Sequence, residues 1–307
     1  MLFLYFLLFI CQYLYVNYIF DKKNPNVVKS IYKYTLLNND CTATIYRTNR
    51  KAKKVIMFLS GGFQLGLDFY ITKLMYDLDA EYETIMKNYE LICYEKLDKT
   101  SFIIYDDVYN YILQIDKELS KIEELVLCGF SAGGVVASHI MAKCKDMTFK
   151  KKIITYDTPY QVKENVDYFK NNWIYRFDII FFWKVFNVYS NHYNYNEIKH
   201  FLENKKWNSG SNEINKLIQD VHDCSDYDFY LMTSFNFDQT NDTKVYNIYS
   251  KNDLFVIRNL SNKFIENNTD KINFFIKDIK KDTTGHCSDM AFSTNYLSDI
   301  IIILFSN

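Results

Sequence analysis

The fold is decided by residues 125–135, which read LVLCGFSAGGV. The first four are an apolar run typical of a buried strand, and the residues that follow Gly134 have a helical composition. Between them lies the pattern G-x-S-x-G, with Ser131 at its centre. A strand, a tight turn and a helix in this order lift a serine hydroxyl above the edge of a sheet. The stretch therefore predicts Ser131 as a nucleophile, and a plain tight turn is the alternative.

Apolar runs and helical patterns alternate through most of the chain. We predict strands at residues 55–59, 89–94, 125–128, 153–156, 245–249 and 272–276, and helices at residues 105–119, 135–144, 260–265 and 289–305. This alternation is typical of a mostly parallel sheet covered by helices on both faces. It breaks down at about residues 160–242, which we interpret as an inserted cap holding all three tryptophans.

The glycines are concentrated where a site is expected. The chain has only eight, and seven of them lie in three loops that each follow a predicted strand. Glycine is needed where backbone turns sharply or approaches another group closely. In open α/β sheets, ligands bind beyond the carboxyl ends of the strands. The glycine pattern therefore predicts a binding site formed by these three loops.

The segment around Ser131 resembles the nucleophile elbow of the α/β-hydrolase superfamily, in particular of its esterases and lipases. The resemblance extends in the order of elements from about residue 53 to the end of the sequence and does not include the first twenty residues. It implies an α/β-hydrolase fold with a mostly parallel sheet, helices on both faces and a mostly helical cap. It also implies a serine hydrolase that cleaves a carboxylic ester through an acyl-enzyme intermediate.

The resemblance implies the remaining members of a catalytic triad. The superfamily order is nucleophile, acid, then histidine, and His286 follows the last predicted strand as the general base. Asp253, in the turn after the strand at residues 245–249, is the expected acid. Asp157 follows the preceding strand and is the alternative acid, or a turn residue before proline. His139 is expected to pack in the core, and the three histidines of the cap to be surface or structural.

Two backbone N–H groups are implied as an oxyanion hole. One belongs to Ala132, the residue after the nucleophile. The other comes from the loop Ser60-Gly61-Gly62-Phe63, which is similar to the HGG-type loops of the superfamily. Phe63 is the expected second donor, with Gly62 as the next candidate, and a glycine-rich turn without a partner is the alternative.

Residues 1–20 carry no charged side chain and are almost entirely apolar or aromatic. About 20 such residues span a bilayer core as a helix, so we predict a membrane anchor. A cleaved signal peptide and a buried helix are the alternatives. Lysines follow the run, at Lys22, Lys23, Lys29 and Lys33. By the positive-inside rule, the catalytic domain would remain in the cytosol.

Composition excludes several other classes of function. The net charge is −1, which gives no support to nucleic-acid binding. The seven cysteines form no CxxC pair and are expected to be reduced. No metal-ligand spacing, dinucleotide motif or P-loop is present, and we expect no cofactor.

Two questions about the reaction stay open at this level. The same triad cleaves peptides, amides or thioesters, and a related fold can serve as a non-catalytic, membrane-tethered binding module. The aromatic cap segment either covers the core or forms an apolar lid that binds acyl chains or touches a bilayer. With an anchor, the second interpretation favours a lipid or another hydrophobic ester as substrate.

Overall fold

The structure, a computed structural model, describes residues 27–36, 39–59, 69–96, 106–165, 225–253, 256–284 and 295–306. The anchor at residues 1–20 and most of the expected cap lie outside them and stay predictions. Within the described ranges, no helix is long and apolar enough to cross a membrane.

One eight-stranded sheet forms the centre of the domain, with strand order β1-β2-β4-β3-β5-β6-β7-β8. Its strands are β1 (Val28–Leu36), β2 (Asn39–Arg47), β3 (Lys54–Leu59), β4 (Tyr89–Lys96), β5 (Glu124–Phe130), β6 (Lys150–Tyr156), β7 (Lys244–Asn252) and β8 (Phe275–Thr284). β2 is antiparallel to both of its neighbours, and every pairing from β4 to β8 is parallel. The carboxyl ends of β3 to β8 therefore meet at one edge.

Helices cover both faces of this sheet. They are α1 (Phe69–Glu81), α2 (Glu83–Met86), α3 (Asp106–Glu118), α4 (Gly133–Lys143), α5 (Asp226–Met232), α6 (Arg258–Glu266) and α7 (Asn295–Phe305). Apolar side chains of α1, α2 and α7 pack on one face, and those of α3, α4 and α6 pack on the other. The central strand β5 is buried along its whole length. Its sequence does not alternate because both of its faces are covered.

The last strand corrects one prediction. A strand at residues 272–276 was expected, but a 3-10 helix occupies Thr269–Lys271 and β8 begins only at Phe275. The strand then continues through a segment rich in lysine and aspartate, with the sequence FIKDIKKDTT. Because β8 lies at the sheet edge, several of these side chains are exposed, and charge does not interrupt the strand. The apolar run at residues 272–276 therefore gave the wrong bounds for this strand.

Strands β1 and β2 were not predicted, and together they form the opposite edge. They pair as an antiparallel hairpin from Val28 opposite Arg47 to Leu36 opposite Asn39. Most residues of β1 are exposed, but the ring of Tyr32 contacts those of Tyr94 and Tyr111, and Tyr34 stacks on Tyr32. Edge strands that are half polar give a weak apolar signal in sequence.

The described ends of the expected cap segment pack against each other and into the core. Tyr160 and Phe235 are buried, with ring centroids 4.6 Å apart, and Phe235 N–H donates to the Tyr160 carbonyl at 2.7 Å. Gln161 and Ser234 form an antiparallel bridge beside them. The chain therefore leaves and re-enters the main domain at one place.

Candidate active site

Ser131 lies at the turn between the central strand and a helix. β5 ends at Phe130 and α4 begins at Gly133, so the chain reverses within two residues. Ser131 has φ of 51°, in the left-handed region that costs energy for any residue but glycine. Its side chain is neither buried nor fully exposed. Ser131 is therefore held in a strained turn at the carboxyl edge of the sheet, where it is partly exposed.

Two glycines of the turn are required by close backbone approach. A Cβ at Gly129 would lie 2.3 Å from the carbonyl oxygen of Gly133. A Cβ at Gly134 would lie 2.1 Å from Oγ1 of Thr158. Neither distance is possible for a real side chain, so the strand, the helix and the segment after β6 can pack this closely only with glycine at both positions.

The end of β6 and the segment after it hold the backbone of Ser131 on two sides. Ser131 N–H donates to the carbonyl of Tyr156 at 2.8 Å. The Thr158 hydroxyl donates to the Ser131 carbonyl at 2.8 Å, and that carbonyl also accepts the Gly134 N–H at 3.1 Å. Sequence reasoning did not identify Thr158. The only signal was its place directly before Pro159, after a buried strand.

Ala132, one of the expected oxyanion donors, lies at the start of a helix. It immediately precedes α4 and is buried, and the first N–H groups of a helix have no acceptor within the helix. Leu59, the last residue of β3, pairs with Gly129, so the chain leaves β3 beside the turn that carries Ser131. Phe63 and Gly62, the other expected donors, lie outside the described residues.

Asp157 occupies the second strained position of this edge. Its φ is 44° and its side chain is 1% exposed. Its Oδ1 accepts the Ser250 N–H at 2.6 Å, and its Oδ2 accepts the Ser250 hydroxyl at 2.9 Å. Asp157 N–H donates to the Ile248 carbonyl at 2.9 Å. The residue therefore ties the end of β6 to the end of β7.

Asp253 follows β7 directly and is partly exposed. Its Oδ1 accepts the Val256 N–H at 3.0 Å, which fixes the carboxylate in the turn. Asn252, at the end of β7, pairs with Thr284, at the end of β8. Paired strands lie about 4.8 Å apart, so the chain leaves β8 toward residue 286 beside Asp253. His286 itself lies outside the described residues.

The His139 ring is held by contacts with the segment at residues 234–236. It is on α4, its Nε2 is 2.8 Å from the carbonyl of Ser234, and its Nδ1 is 3.4 Å from the amide nitrogen of Asn236. Burial lowers the pKa of His139 to about 4. The neutral ring satisfies both neighbours, because Nε2–H donates to the carbonyl while Nδ1 accepts from the amide. The expectation of a packing histidine agrees with these contacts.

Two buried cysteines of the described ranges, Cys128 and Cys144, are poor nucleophiles. Cys93, Cys128 and Cys144 are buried and are not part of a disulfide. Burial raises the pKa of the Cys128 thiol far above neutrality and that of Cys144 to about 12. Because only the thiolate is a strong nucleophile, both side chains act as small apolar groups.

Comparison with known proteins identifies the fold. No protein-family model matches the chain, and no curated protein matches it in sequence. An esterase from Rhizomucor miehei is similar in structure, with a TM-score of 0.54 and 14% identity over 91% of this chain and 82% of that chain. A thermostable carboxyl esterase from Bacillus coagulans gives a TM-score of 0.54 and 10% identity, over 90% of this chain and 98% of that one. Carboxyl esterase 2 from Tuber melanosporum gives a TM-score of 0.51 and 13% identity, over 92% of this chain and 87% of that chain.

At such low identity the similarity shows the fold and not the reaction. The strand order, the antiparallel β2 and the helices on both faces agree with it. The chain has the α/β-hydrolase fold, which confirms the fold class predicted from the nucleophile turn.

Proposed function

We propose that the protein is a serine hydrolase that cleaves carboxylic esters, with Ser131 as nucleophile. The observation that carries the proposal is the conformation of Ser131, strained at φ 51° between the fully buried β5 and α4. Strain of this kind persists only where the surroundings over-determine it, and it clusters at functional sites. The esterase names of the similar structures agree with this chemistry.

The proposed reaction uses Ser131 and the other groups that the superfamily resemblance implies. Ser131 Oγ attacks the ester carbonyl carbon, and His286 accepts the hydroxyl proton as the carbonyl oxygen becomes an oxyanion. The Ala132 N–H and a donor from residues 62–63 stabilise that oxyanion. Collapse of the tetrahedral intermediate expels the alcohol, which takes the proton from His286, and leaves an acyl-enzyme. Water, deprotonated by the same histidine, releases the acid and restores Ser131.

Asp253 is the proposed acid that orients His286. It follows β7, whose Asn252 pairs with Thr284, the residue from which the chain continues toward His286. Asp157 is one strand farther from β8, and both of its carboxylate oxygens accept hydrogen bonds from Ser250. Because these two bonds tie the end of β6 to the end of β7, we assign Asp157 a structural role and propose that Asp253 stabilises protonated His286.

A hydrophobic acyl group is the proposed substrate feature. The support is the aromatic segment expected to form the cap, which holds all three tryptophans, and the apolar run at residues 1–20. Hydrolysis of p-nitrophenyl acetate, butyrate, octanoate and palmitate by the full chain measures this preference. We expect kcat/KM to rise with acyl length. A preference for acetate, or activity on peptides alone, would contradict the substrate class.

A serine in the same backbone conformation provides a matched control for the nucleophile. Ser120 has φ of 53° but lies after α3, away from the carboxyl edge of the sheet. Ser131→Ala is expected to lose ester hydrolysis by at least about 10⁴-fold, while Ser120→Ala keeps it. Equal activity of Ser131→Ala and the unmodified protein would overturn the proposal.

The proposed location is a membrane, with residues 1–20 as anchor and the catalytic domain in the cytosol. The support is the uncharged run and the lysines that follow it. Carbonate extraction of membranes expressing the full chain, beside a form without residues 1–20, tests the anchor. Retention of only the full chain in the membrane supports it, and release of both contradicts it.

A further inference from the structure

We propose that Thr158 is a positioning residue that orients the oxyanion-hole N–H of Ala132. The inference rests on the proposed function and extends it to a residue that does not touch the substrate. The carbonyl that Thr158 contacts belongs to the peptide unit that joins Ser131 to Ala132.

A peptide unit is planar, so its C=O and N–H groups cannot rotate independently. The carbonyl of Ser131 and the N–H of Ala132 belong to the same plane and point in opposite directions. Whatever fixes the direction of this carbonyl also fixes the direction of the N–H. The oxyanion hole therefore depends on the acceptor side of the peptide as well as on its donor side.

Two donors fix the Ser131 carbonyl. Gly134 N–H reaches it at 3.1 Å from within the turn, and the Thr158 hydroxyl reaches it at 2.8 Å from the segment after β6. The Thr158 hydroxyl also lies 3.5 Å from the Tyr156 carbonyl. A hydroxyl has one proton, and the shorter contact identifies Ser131 as its acceptor.

Thr158 is itself held firmly enough to serve this role. Its side chain is 2% exposed and lies against Gly134, where a Cβ would come within 2.1 Å of the hydroxyl oxygen. The preceding residue is fixed by the hydrogen bonds between Asp157 and Ser250, and the following residue is Pro159. A packed side chain with little freedom transmits its position to the peptide that it contacts.

The hydrogen bond from the Thr158 hydroxyl to the Ser131 carbonyl also strengthens the Ala132 N–H as a donor. A donor to a peptide carbonyl polarises the peptide, which makes its N–H a better donor to an oxyanion. Loss of the Thr158 hydroxyl therefore weakens the oxyanion hole by orientation and by polarisation. Ground-state binding of the substrate does not use this N–H strongly, so kcat is expected to change and KM is not.

The test compares Thr158→Val, which keeps the shape and removes the donor, with Thr158→Ser, which keeps the donor. We expect Thr158→Val to lower kcat for p-nitrophenyl butyrate by about 10- to 100-fold, with KM within about twofold of the unmodified protein. Thr158→Ser is expected to stay within about threefold in kcat. A trifluoromethyl ketone, which forms a hemiketal oxyanion on a serine, should bind Thr158→Val more weakly by the same factor as kcat falls.

Unchanged kcat in Thr158→Val, or equal losses in Thr158→Val and Thr158→Ser, would overturn the inference. If Thr158→Val does not fold, Thr158→Ala replaces it in the same comparison, because alanine removes the hydroxyl without adding volume. Failure of the proposed function gives a different result. In that case Ser131→Ala keeps its activity, whatever the Thr158 variants do.

Discussion

Asp157 and Ser250 join the two strand ends on which the proposed catalytic groups depend. The Ser250 N–H and hydroxyl donate to the two carboxylate oxygens of Asp157, at 2.6 and 2.9 Å. The residues on either side of Asp157 hold the backbone of Ser131. Ser250 lies near the end of β7, which leads into Asp253. The pair therefore links the turn that carries Ser131 to the turn that carries Asp253.

The two carboxylates are expected to respond differently to amidation. Asp253→Asn removes the charge that stabilises protonated His286, and kcat should fall by about 10³- to 10⁴-fold. Asp157→Asn keeps one acceptor and its shape, so kcat should fall less than about 50-fold, with a loss of about 1–2 kcal/mol in the free energy of unfolding. Steady-state kinetics and urea unfolding of both variants check this. The opposite ranking in kcat would make Asp157 the acid.

Substitution of Gly129 and of Gly134 by alanine is expected to have different effects on stability and on activity. At Gly129 an added methyl meets the Gly133 backbone, which cannot rotate away, so Gly129→Ala should lose about 3 kcal/mol of unfolding free energy or not fold. At Gly134 the methyl meets Thr158, whose Cβ would lie only 2.8 Å away, so the whole residue must shift and its hydrogen bond to the Ser131 carbonyl is lost. Gly134→Ala should therefore lose more in kcat than in stability. Thermal unfolding and kcat, measured for both variants, distinguish a loss of stability from a loss of activity. A stable and active Gly129→Ala variant would contradict the account.

His139 is expected to make stability depend on pH. Its pKa is about 4 in the folded protein and about 6.5 when unfolded, so the unfolded chain binds the proton first as pH falls. Stability is fully present above pH about 6.5 and should decline between pH about 6.5 and 4, by roughly 2–3 kcal/mol. Urea unfolding across this range measures the decline. His139→Gln, which does not titrate, should flatten it, and identical pH profiles for both proteins would rule out this cause.

Arg47 offers a comparison of a buried with an exposed ion pair. It contacts Glu90 and Glu118, each at 2.8 Å, and the two glutamate side chains are 0% and 41% exposed. Glu90→Gln leaves the buried guanidinium poorly compensated and should cost about 3 kcal/mol of unfolding free energy. Glu118→Gln should cost less than about 1 kcal/mol. Equilibrium urea unfolding gives both values, and equal losses would show that burial does not set the strength of this pair.

The nucleophile turn could be predicted from sequence because its signals are local. A continuous apolar run, closely spaced glycines and a helical segment follow one another around Ser131, and burial on both sheet faces explains why β5 shows no alternation. The edges of the sheet could not be predicted in the same way. β1 and most of β8 mix polar and apolar residues, because one side of each strand has no neighbouring strand. β2 lies between β1 and β4, but its sequence, Asn39–Arg47, is also mixed.

The hydrogen bonds that hold the turn around Ser131 could not be predicted from the sequence either. Thr158 and Ser131 are 27 residues apart, and their contact exists only because β5 and β6 pair in parallel and end together. The link between Asp157 and Ser250 spans 93 residues and depends on the pairing of β6 with β7. A single sequence shows the side chains of such contacts but not the register that brings them together.

Covalent labelling of Ser131 tests the central claim most directly. The protein is treated with a fluorophosphonate, and intact mass and peptide mapping locate the adduct, beside Ser131→Ala and Ser120→Ala. The account predicts one adduct per chain, on the peptide that contains Ser131, in the unmodified protein and in Ser120→Ala, and no adduct in Ser131→Ala. An adduct on another residue, or equal labelling of Ser131→Ala, would contradict the account.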